Sequence, residues 1–476
     1  MNLIGRKEEI SRLDSAMQSG MPEFIAVYGR RRVGKTYLIR EYFNNKFSFY
    51  ASGSTEAKTN RQKLKIFHDS LKRYGSSEKS VPQDWMEAFN RLRNLLMKDD
   101  VCLDPATGRK VIFLDELPWF DTGKSDFRMA LDVFWNTWAS AQQDVCLIIC
   151  GSATSWILNK MVLDRGGFHN RLTRQIHLRP FTLAECEELL HSKGLDLPRN
   201  EVIRAYMVFG GIPFYLNMID RRLSLDQNIQ ALLFNEYGEL HNEYKILFNA
   251  LFNNPQKHAK IIDSLTESKR GLSRTELSAG TGINNGGSLT EMLFELEQCG
   301  FIREFSGYNK NIYGKMYQIT DPFSVFYTTF LKDRKMENWM QFVGTPAYYA
   351  WEGLAFETVC LNHTEQIKTI LGISGISADI YSWQGKATGK RKGAQIDLLI
   401  DRADSVINLC EMKYTQEPFT IDEEYKNKLI NKRELFKEAT KTRKAVNIIM
   451  ISAGGVKKNG YYNIIQRDIN GDELFV

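Results

Sequence analysis

No apolar run in the 476-residue sequence approaches the roughly 20 residues that cross a bilayer, and residues 1–12 are charged, without the apolar stretch of a secretory signal. A cytoplasmic protein with no membrane partner is expected. Cysteine is sparse: Cys102, Cys146, Cys150, Cys186, Cys299, Cys360 and Cys410 are odd in number, scattered, and mostly set among apolar neighbours. They read as reduced core residues. Cys146 and Cys150 lie four apart on an apolar strand pattern with no second pair, which argues against zinc. Repeats and low-complexity tracts are absent. The excess of positive charge is small, 63 basic against 57 acidic residues, and does not by itself indicate a nucleic-acid partner; where the charge sits must decide. What is present is material for several cores. With 43% hydrophobic and 25% charged residues, wholesale disorder is excluded, and at roughly 150 residues per domain the length suggests about three domains.

Short apolar runs alternate with helical stretches in the first segment: Phe24–Tyr28, Phe47–Ala51, Val111–Leu114 and Val145–Cys150 predict buried strands of a parallel α/β sheet. From Pro180 to about Gly238 the spacing turns helical, with Thr182 as a cap before Glu185 and Gly210–Gly211–Ile212–Pro213 as a break. From His241 to about Asp321 helices precede a hairpin at Gly300–Thr320, with Gly307 and Gly314 as turn residues. Ser273 with Glu276 and Ser288 with Glu291 have the spacing of capping boxes. The last segment predicts a helix over Trp351–Ile370, strands near Ala378, Gln395 and Val406, a charged helix from about Asp422 to Thr440, and a strand at Ala445–Ile451.

Gly29-Arg30-Arg31-Arg32-Val33-Gly34-Lys35-Thr36 has the spacing of a phosphate-binding loop, placed between a strand and the helical Tyr37–Phe43. Glycines let backbone amides curl around phosphates, Lys35 reaches the β- and γ-phosphates of ATP, and Thr36 holds Mg²⁺. Gly29, Arg32, Val33, Gly34, Lys35, Thr36 and Tyr37 are therefore candidate nucleotide contacts. Arg30, Arg31 and Arg32 face solvent as readily as phosphate. Val111–Leu114 delivers Asp115 and Glu116 at a strand's carboxyl end, where Asp115 would hold the metal through water and Glu116 would orient the attacking water. Ser152, after the strand Val145–Cys150, is either a γ-phosphate sensor or an ordinary helix cap. Arg171 and Arg174 are each either an arginine finger, acting in cis or from a second copy, or a surface ion pair.

The ordered set Ile4-Gly5-Arg6, the loop, Leu114-Asp115-Glu116-Leu117-Pro118-Trp119, Gly151-Ser152, Arg179-Pro180-Phe181 and Gly210–Pro213 resembles an archaeal and bacterial AAA-type ATPase family, over residues 1 to about 235. The resemblance implies that Gly5 and Arg6 lie near the base and that Arg171 is the finger. The family's arginine follows a glycine; here Asn170 precedes it.

Helix, turn, helix and hairpin describe a winged helix, yet Ser288–Cys299 carries Glu291, Glu295 and Glu297 and no basic residue, which demotes groove reading. Leu289, Met292, Leu293 and Leu296 have the spacing of a core face, and Arg303, Lys310 and Lys315 remain to touch backbone phosphate. A coupling or partner-binding module is the preferred reading.

Asp397 and Glu411-Met412-Lys413 lie on consecutive predicted strands, with Glu411 and Lys413 on one face. Asp397 and Glu411 would share Mg²⁺ or Mn²⁺ against a scissile phosphate, and Lys413 would orient water. Lys386, Lys390, Arg391 and Lys392, and Lys426, Lys428, Lys432, Arg433 and Lys437, form clusters that either contact phosphate or are solvated faces. From about Ala350 onward this part resembles the PD-(D/E)XK, restriction-endonuclease-like superfamily, in which a first-helix glutamate completes the site; Glu357 matches that place better than Glu352.

The expected fold is α/β: a P-loop core (1–179) with parallel sheet, a helical lid (180–238), a winged helix (239–335) and a restriction-endonuclease-like domain (345–476). The leading functional expectation is an ATP-driven, Mg²⁺-dependent switch or motor controlling a nuclease-like domain on DNA or RNA. Its rivals are a signalling ATPase whose last domain only binds nucleic acid or a protein, and an ATP-responsive winged-helix regulator. Assembly with a second copy stays open.

Overall fold

The computed structural model describes residues 3–151, 154–157, 161, 171–268, 271–308, 315–333, 337–389 and 391–476. The chain divides into two compact units, 1–179 and 180–476.

In the first unit the order is α1 (Lys7–Met17), β1 (Glu23–Gly29), α2 (Lys35–Tyr42), β2 (Phe49–Ser52), α3 (Asn60–Arg73), α4 (Trp85–Leu96), β3 (Lys110–Asp115), α5 (Phe127–Thr137), β4 (Val145–Gly151), the short α6 (Thr154–Ile157) and β5 (Arg174–Leu178). The strands form one parallel sheet in the order β2-β3-β4-β1-β5. All residues of β1 and β4 are buried, as continuous Val/Ile/Leu runs require when helices cover both faces. Register sets Tyr28 beside Gly151, Gly29 beside Leu178 and Ser52 beside Asp115, so the carboxyl ends collect at one edge. Beside the sheet, Phe67, Phe89, Phe120 and Phe127 surround Trp85, with ring centroids 4.8–6.3 Å from the indole.

The second unit runs α7 (Leu183–Ser192), α8 (Arg199–Phe209), α9 (Pro213–Leu216), α10 (Leu225–Ile229), α11 (Glu243–Leu251), α12 (Pro255–Glu267), β6 (Leu272–Ser273), α13 (Arg274–Thr281), α14 (Gly287–Gln298), β7 (Ile302–Phe305), β8 (Met316–Ile319), α15 (Pro322–Phe326), α16 (Pro346–Asn362), α17 (Thr364–Ile370), β9 (Ala378–Gly385), β10 (Ala394–Arg402), β11 (Val406–Lys413), α18 (Glu423–Thr440), β12 (Ala445–Ser452) and β13 (Arg467–Asn470). The capping boxes at Thr182/Glu185 and Ser273/Glu276 form as their spacing predicts. Ser288 does not cap: α14 starts from Gly286, whose extended backbone opens the helix without a side-chain bond, and Ser288 lies inside the first turn. Gly211 has φ 63°, and a Cβ there would meet the Phe181 carbonyl oxygen at 2.4 Å, so both conformation and close approach demand glycine.

Strands β6, β8 and β7 form an antiparallel sheet beside α13 and α14. Leu289, Met292, Leu293 and Leu296 of α14 are buried. Two of its acids turn inward: Glu295 meets His258 at 2.8 Å, and Glu297 accepts the Glu304 N–H at 3.0 Å. Gly307 is not a turn residue. It bridges in parallel to Ser382 of β9, while Gly314 and Lys310 lie outside the described residues.

The single helix expected over Trp351–Ile370 starts earlier and breaks at His363. The buried His363 imidazole accepts the Leu183 N–H at Nε2 (2.9 Å) and sits 2.7 Å from the Val359 carbonyl at Nδ1. The mixed five-stranded sheet β13-β12-β11-β10-β9 follows, antiparallel across β9, β10 and β11 and parallel across β11, β12 and β13. Leu435 and Phe436 of α18 pack on Trp383, Ile396, Leu399 and Leu409. The terminal strand β13, four residues long with only Ile469 apolar, carries too weak a pattern to be read in advance.

Six cysteines are buried and Cys102 is exposed; all seven are free thiols. No helix among the described residues is long and apolar enough to cross a membrane.

Candidate functional sites

The first site is built where β1 gives way to α2. Gly29 takes φ 143°, and a Cβ there would sit 2.2 Å from the Leu178 carbonyl oxygen of β5, so the position demands glycine. Arg32 (φ 76°) and Gly34 (φ 93°) complete the curl. Helix α2 starts at Lys35 with no side-chain cap, leaving its first-turn amides for an anion. Lys35 is buried, and its ammonium donates to the Gly29 and Arg30 carbonyls, both at 2.9 Å. The next residue, Thr36, donates its hydroxyl to the Asp115 carboxylate at 3.0 and 3.1 Å, which joins the loop to the end of β3 across the intervening β4.

Asp115 is buried, and burial pushes its carboxyl above the usual carboxylate range, helped by the Glu116 charge and opposed by hydrogen bonds from Thr36, Cys150 and the Glu116 N–H. Such a group favours a bound cation, and with the Thr36 hydroxyl it makes a hard-oxygen pair that fits Mg²⁺. Glu116 follows in a left-handed conformation (φ 47°), its carboxylate accepting the Trp119 indole N–H at 3.2 Å.

Arg6 is buried and donates to the Val33 carbonyl (3.0 Å) and the Arg179 carbonyl (2.8 Å). It braces the phosphate loop from behind, a role that motif reading missed. Gly5 adjoins it with φ 61°. Val33 and Arg30 are buried, Arg31 and Arg32 are half-buried, and Tyr37 is exposed. Tyr50 of β2 approaches Asp115 at 3.5 Å and accepts from Arg40 at 2.9 Å; nothing in their spacing announces that pair. Arg171 is exposed, three residues before β5, whereas Arg174 is drawn to the buried Glu23 at 3.3 Å. Ser152 lies outside the described residues.

Residues 3–219 match the family described as an ATPase domain predominantly from Archaea. Over that segment the chain is similar to this ATPase family. An uncharacterized protein of Methanocaldococcus jannaschii is 24% identical over 343 residues, 69% of this chain and 68% of its own length. An uncharacterized ATP-binding protein of the same organism is 44% identical over 43 residues, 9% of this chain and 73% of its own length. Among solved structures, the Walker-type ATPase of Pyrococcus abyssi is similar at 16% identity, with 69% of this chain and 97% of that chain covered and a TM-score of 0.49.

Beyond that segment, a second acidic site lies in the carboxyl-terminal mixed sheet. Leu398 of β10 pairs with Cys410 of β11, so Asp397 and Glu411 are the next residues on the two strands. The register between β10 and β9 shifts between Ile396 and Leu399, a bulge that re-aims Asp397. Glu411 is buried, and both its oxygens are engaged by α18: Lys432 Nζ donates at 2.6 Å and the Tyr425 hydroxyl at 2.7 Å. Burial raises the Glu411 pKa, but the Lys432 charge and hydrogen bond, the Tyr425 hydroxyl and the Lys413 charge outweigh it and leave a net lowering. Asp397 shifts the other way. Its burial and the Glu411 charge raise it, against the Gln395 hydrogen bond (2.5 Å) and the charges of Lys432 and Arg303.

Lys413 is half-buried with its ammonium 5.8 Å from the Tyr425 ring centroid. Glu357 of α16 is near enough for its charge to act on Tyr425, while Glu352 turns to Tyr348 and Arg204. Two basic residues differ from expectation. Lys432 is 9% exposed and belongs to the site rather than to a solvated face, and Arg303 donates to the Gln318 side chain (2.7 Å), with its charge near enough to act on Asp397. Arg391 pairs with Glu438 at 2.7 Å. Among the described residues no group of three or more His, Cys, Asp or Glu side chains stands ready for a metal ion. Asp397 and Glu411 alone supply hard oxygens of the type Mg²⁺ or Mn²⁺ takes.

Proposed function

We propose that the protein is an AAA-type ATP hydrolase whose nucleotide state controls a metal-dependent, nuclease-like carboxyl-terminal site acting on DNA or RNA. The observation that carries the ATP half is the Thr36–Asp115 hydrogen bond, which joins the phosphate loop to the acidic strand end. With ATP present, Lys35 would exchange its two carbonyl partners for the β- and γ-phosphates, and the α2 amides would hold the phosphates in line. Mg²⁺ bound at Thr36 and Asp115 would offset the charge that develops on the transferred phosphoryl group. Glu116 orients the attacking water and accepts its proton. Arg171 serves as the finger and Ser152 as the sensor, with Gly5 and Arg6 near the nucleotide base. Lys35→Ala tests this half: productive ATP turnover should be lost.

At the second site, Asp397 and Glu411 are assigned to the metal, Lys413 to the attacking water, and Glu357 to completing the acidic set. The segment containing α13, α14 and the three-stranded sheet is assigned as a winged helix acting as a coupling module. Supporting the nuclease-like reading is the adjacency of the half-buried Asp397 and the buried Glu411 on neighbouring strands, with Lys413 two residues beyond Glu411. The test is Mn²⁺-dependent cleavage of single- and double-stranded DNA and RNA, with and without ATP, compared with Asp397→Ala; cleavage that persists in that variant rejects the assignment. One observation favours a second reading, a binding-only domain in a signalling ATPase: both Glu411 oxygens already have protein donors. Nucleic-acid affinity without cutting in any condition would select it.

A further inference from the structure

The three-stranded sheet of the α13–α14 segment is tied to the acidic site at three points. Beyond the end of β7, Gly307 bridges to Ser382, and the Tyr308 N–H donates to the Ser382 carbonyl at 3.0 Å, so the β7 chain continues along the free edge of β9. The Tyr308 ring packs 5.0 Å from Phe436 and 5.4 Å from Tyr381, on the core shared by β9 and α18. Arg303 of β7 is the third tie. Its guanidinium is held by Gln318 of β8 at 2.7 and 3.3 Å, near enough for its charge to act on Asp397. Between the two sheets a cleft of about 50 Å³ is lined by Phe305, Tyr308 and Met316 on one side and by Trp383, Gln395 and Asp397 on the other. That volume holds a few water molecules. Small-molecule sites begin at roughly 300 Å³, and a nucleic-acid strand needs more.

We infer that this sheet is an inhibitory cover on the Asp397–Glu411 site. Arg303 supplies the positive charge that a divalent ion would bring, and the Gly307–Tyr308 segment closes the β9 edge. The sheet must lift before a metal ion and a phosphodiester reach the carboxylates. This inference rests on the nuclease-like reading above and adds its regulation.

The test uses the full chain with Arg303→Ala, Arg303→Lys and Tyr308→Ser. Mn²⁺ affinity is read by electron paramagnetic resonance, and Mn²⁺-dependent cleavage of single-stranded DNA and RNA is read in parallel. Urea unfolding confirms that each variant is folded. Arg303→Ala and Tyr308→Ser are expected to tighten Mn²⁺ binding at least tenfold, with Arg303→Lys near the wild type, and to raise cleavage by a similar factor. Tighter Mn²⁺ binding with no cleavage in any variant supports the cover and rejects the nuclease-like reading. Mn²⁺ affinity unchanged in both Arg303→Ala and Tyr308→Ser overturns the cover; cleavage by the wild type would then leave the nuclease-like reading standing.

Discussion

The Thr36 hydroxyl lies 3.0 and 3.1 Å from the two oxygens of the Asp115 carboxylate. These residues are 79 apart in the chain and come from the helix start after β1 and the end of β3, strands that are not neighbours in the sheet. Asp115 is buried and accepts from the Glu116 N–H as well. Thr36→Val removes this hydrogen bond and, on the proposed function, a ligand to Mg²⁺ as well. Mg²⁺-dependent ATP turnover should fall on the order of 100-fold, the scale of losing one transition-state contact. Steady-state kinetics over an Mg²⁺ titration check this; a wild-type rate and Mg²⁺ dependence would contradict it.

Arg6 should behave differently. Its guanidinium holds the Val33 and Arg179 carbonyls from a buried position, and Arg6→Ala leaves both without that donor. A loss of about 1–3 kcal/mol is expected in urea unfolding of the amino-terminal unit, together with weaker nucleotide binding, while kcat at saturating ATP changes less.

The buried Glu411–Lys432 pair gives a stability prediction independent of any activity. Lys432→Met strands a buried carboxylate and should cost roughly 3–5 kcal/mol, whereas Glu411→Gln combined with Lys432→Met should recover most of it, because two neutral groups replace two charges. Denaturant unfolding of the three variants checks the cycle; additive losses would contradict the pairing.

Acid should loosen the contact between Leu183 and His363. Burial pushes the His363 imidazole down from 6.5 to about 4, and its Nε2 must stay unprotonated to accept the Leu183 N–H. The unfolded chain therefore takes up the proton first. Stability from this residue is fully present above about pH 6.5 and is lost as pH falls toward 4, a difference of about 3 kcal/mol. Unfolding free energy measured against pH should lose this component in His363→Gln.

The sequence is most legible where local pattern and chemistry coincide. Fully apolar runs mark β1, β3 and β4, and the phosphate loop lies where its glycines and Lys35 predict. Asp397 and Glu411 also fall on neighbouring strands. What escapes is set by tertiary approach. The Val33 carbonyl is held by an arginine 27 residues earlier, and Lys432 reaches Glu411 from a helix whose Lys428 and Lys437 are exposed. Arg303 comes within charge range of a carboxylate 94 residues away, on the sheet to which the β7 chain bridges through Gly307. The Ser288 cap fails for a local reason, since α14 begins one residue earlier at Gly287.

The direct test of the account is ATP handling by Glu116→Gln beside the wild type. Glutamine keeps the shape of the side chain and its place after Asp115 but cannot take a proton from water. The variant should bind Mg²⁺-ATP as tightly as the wild type and turn it over on the order of 100 times more slowly or worse. Equal turnover by the two proteins would contradict it.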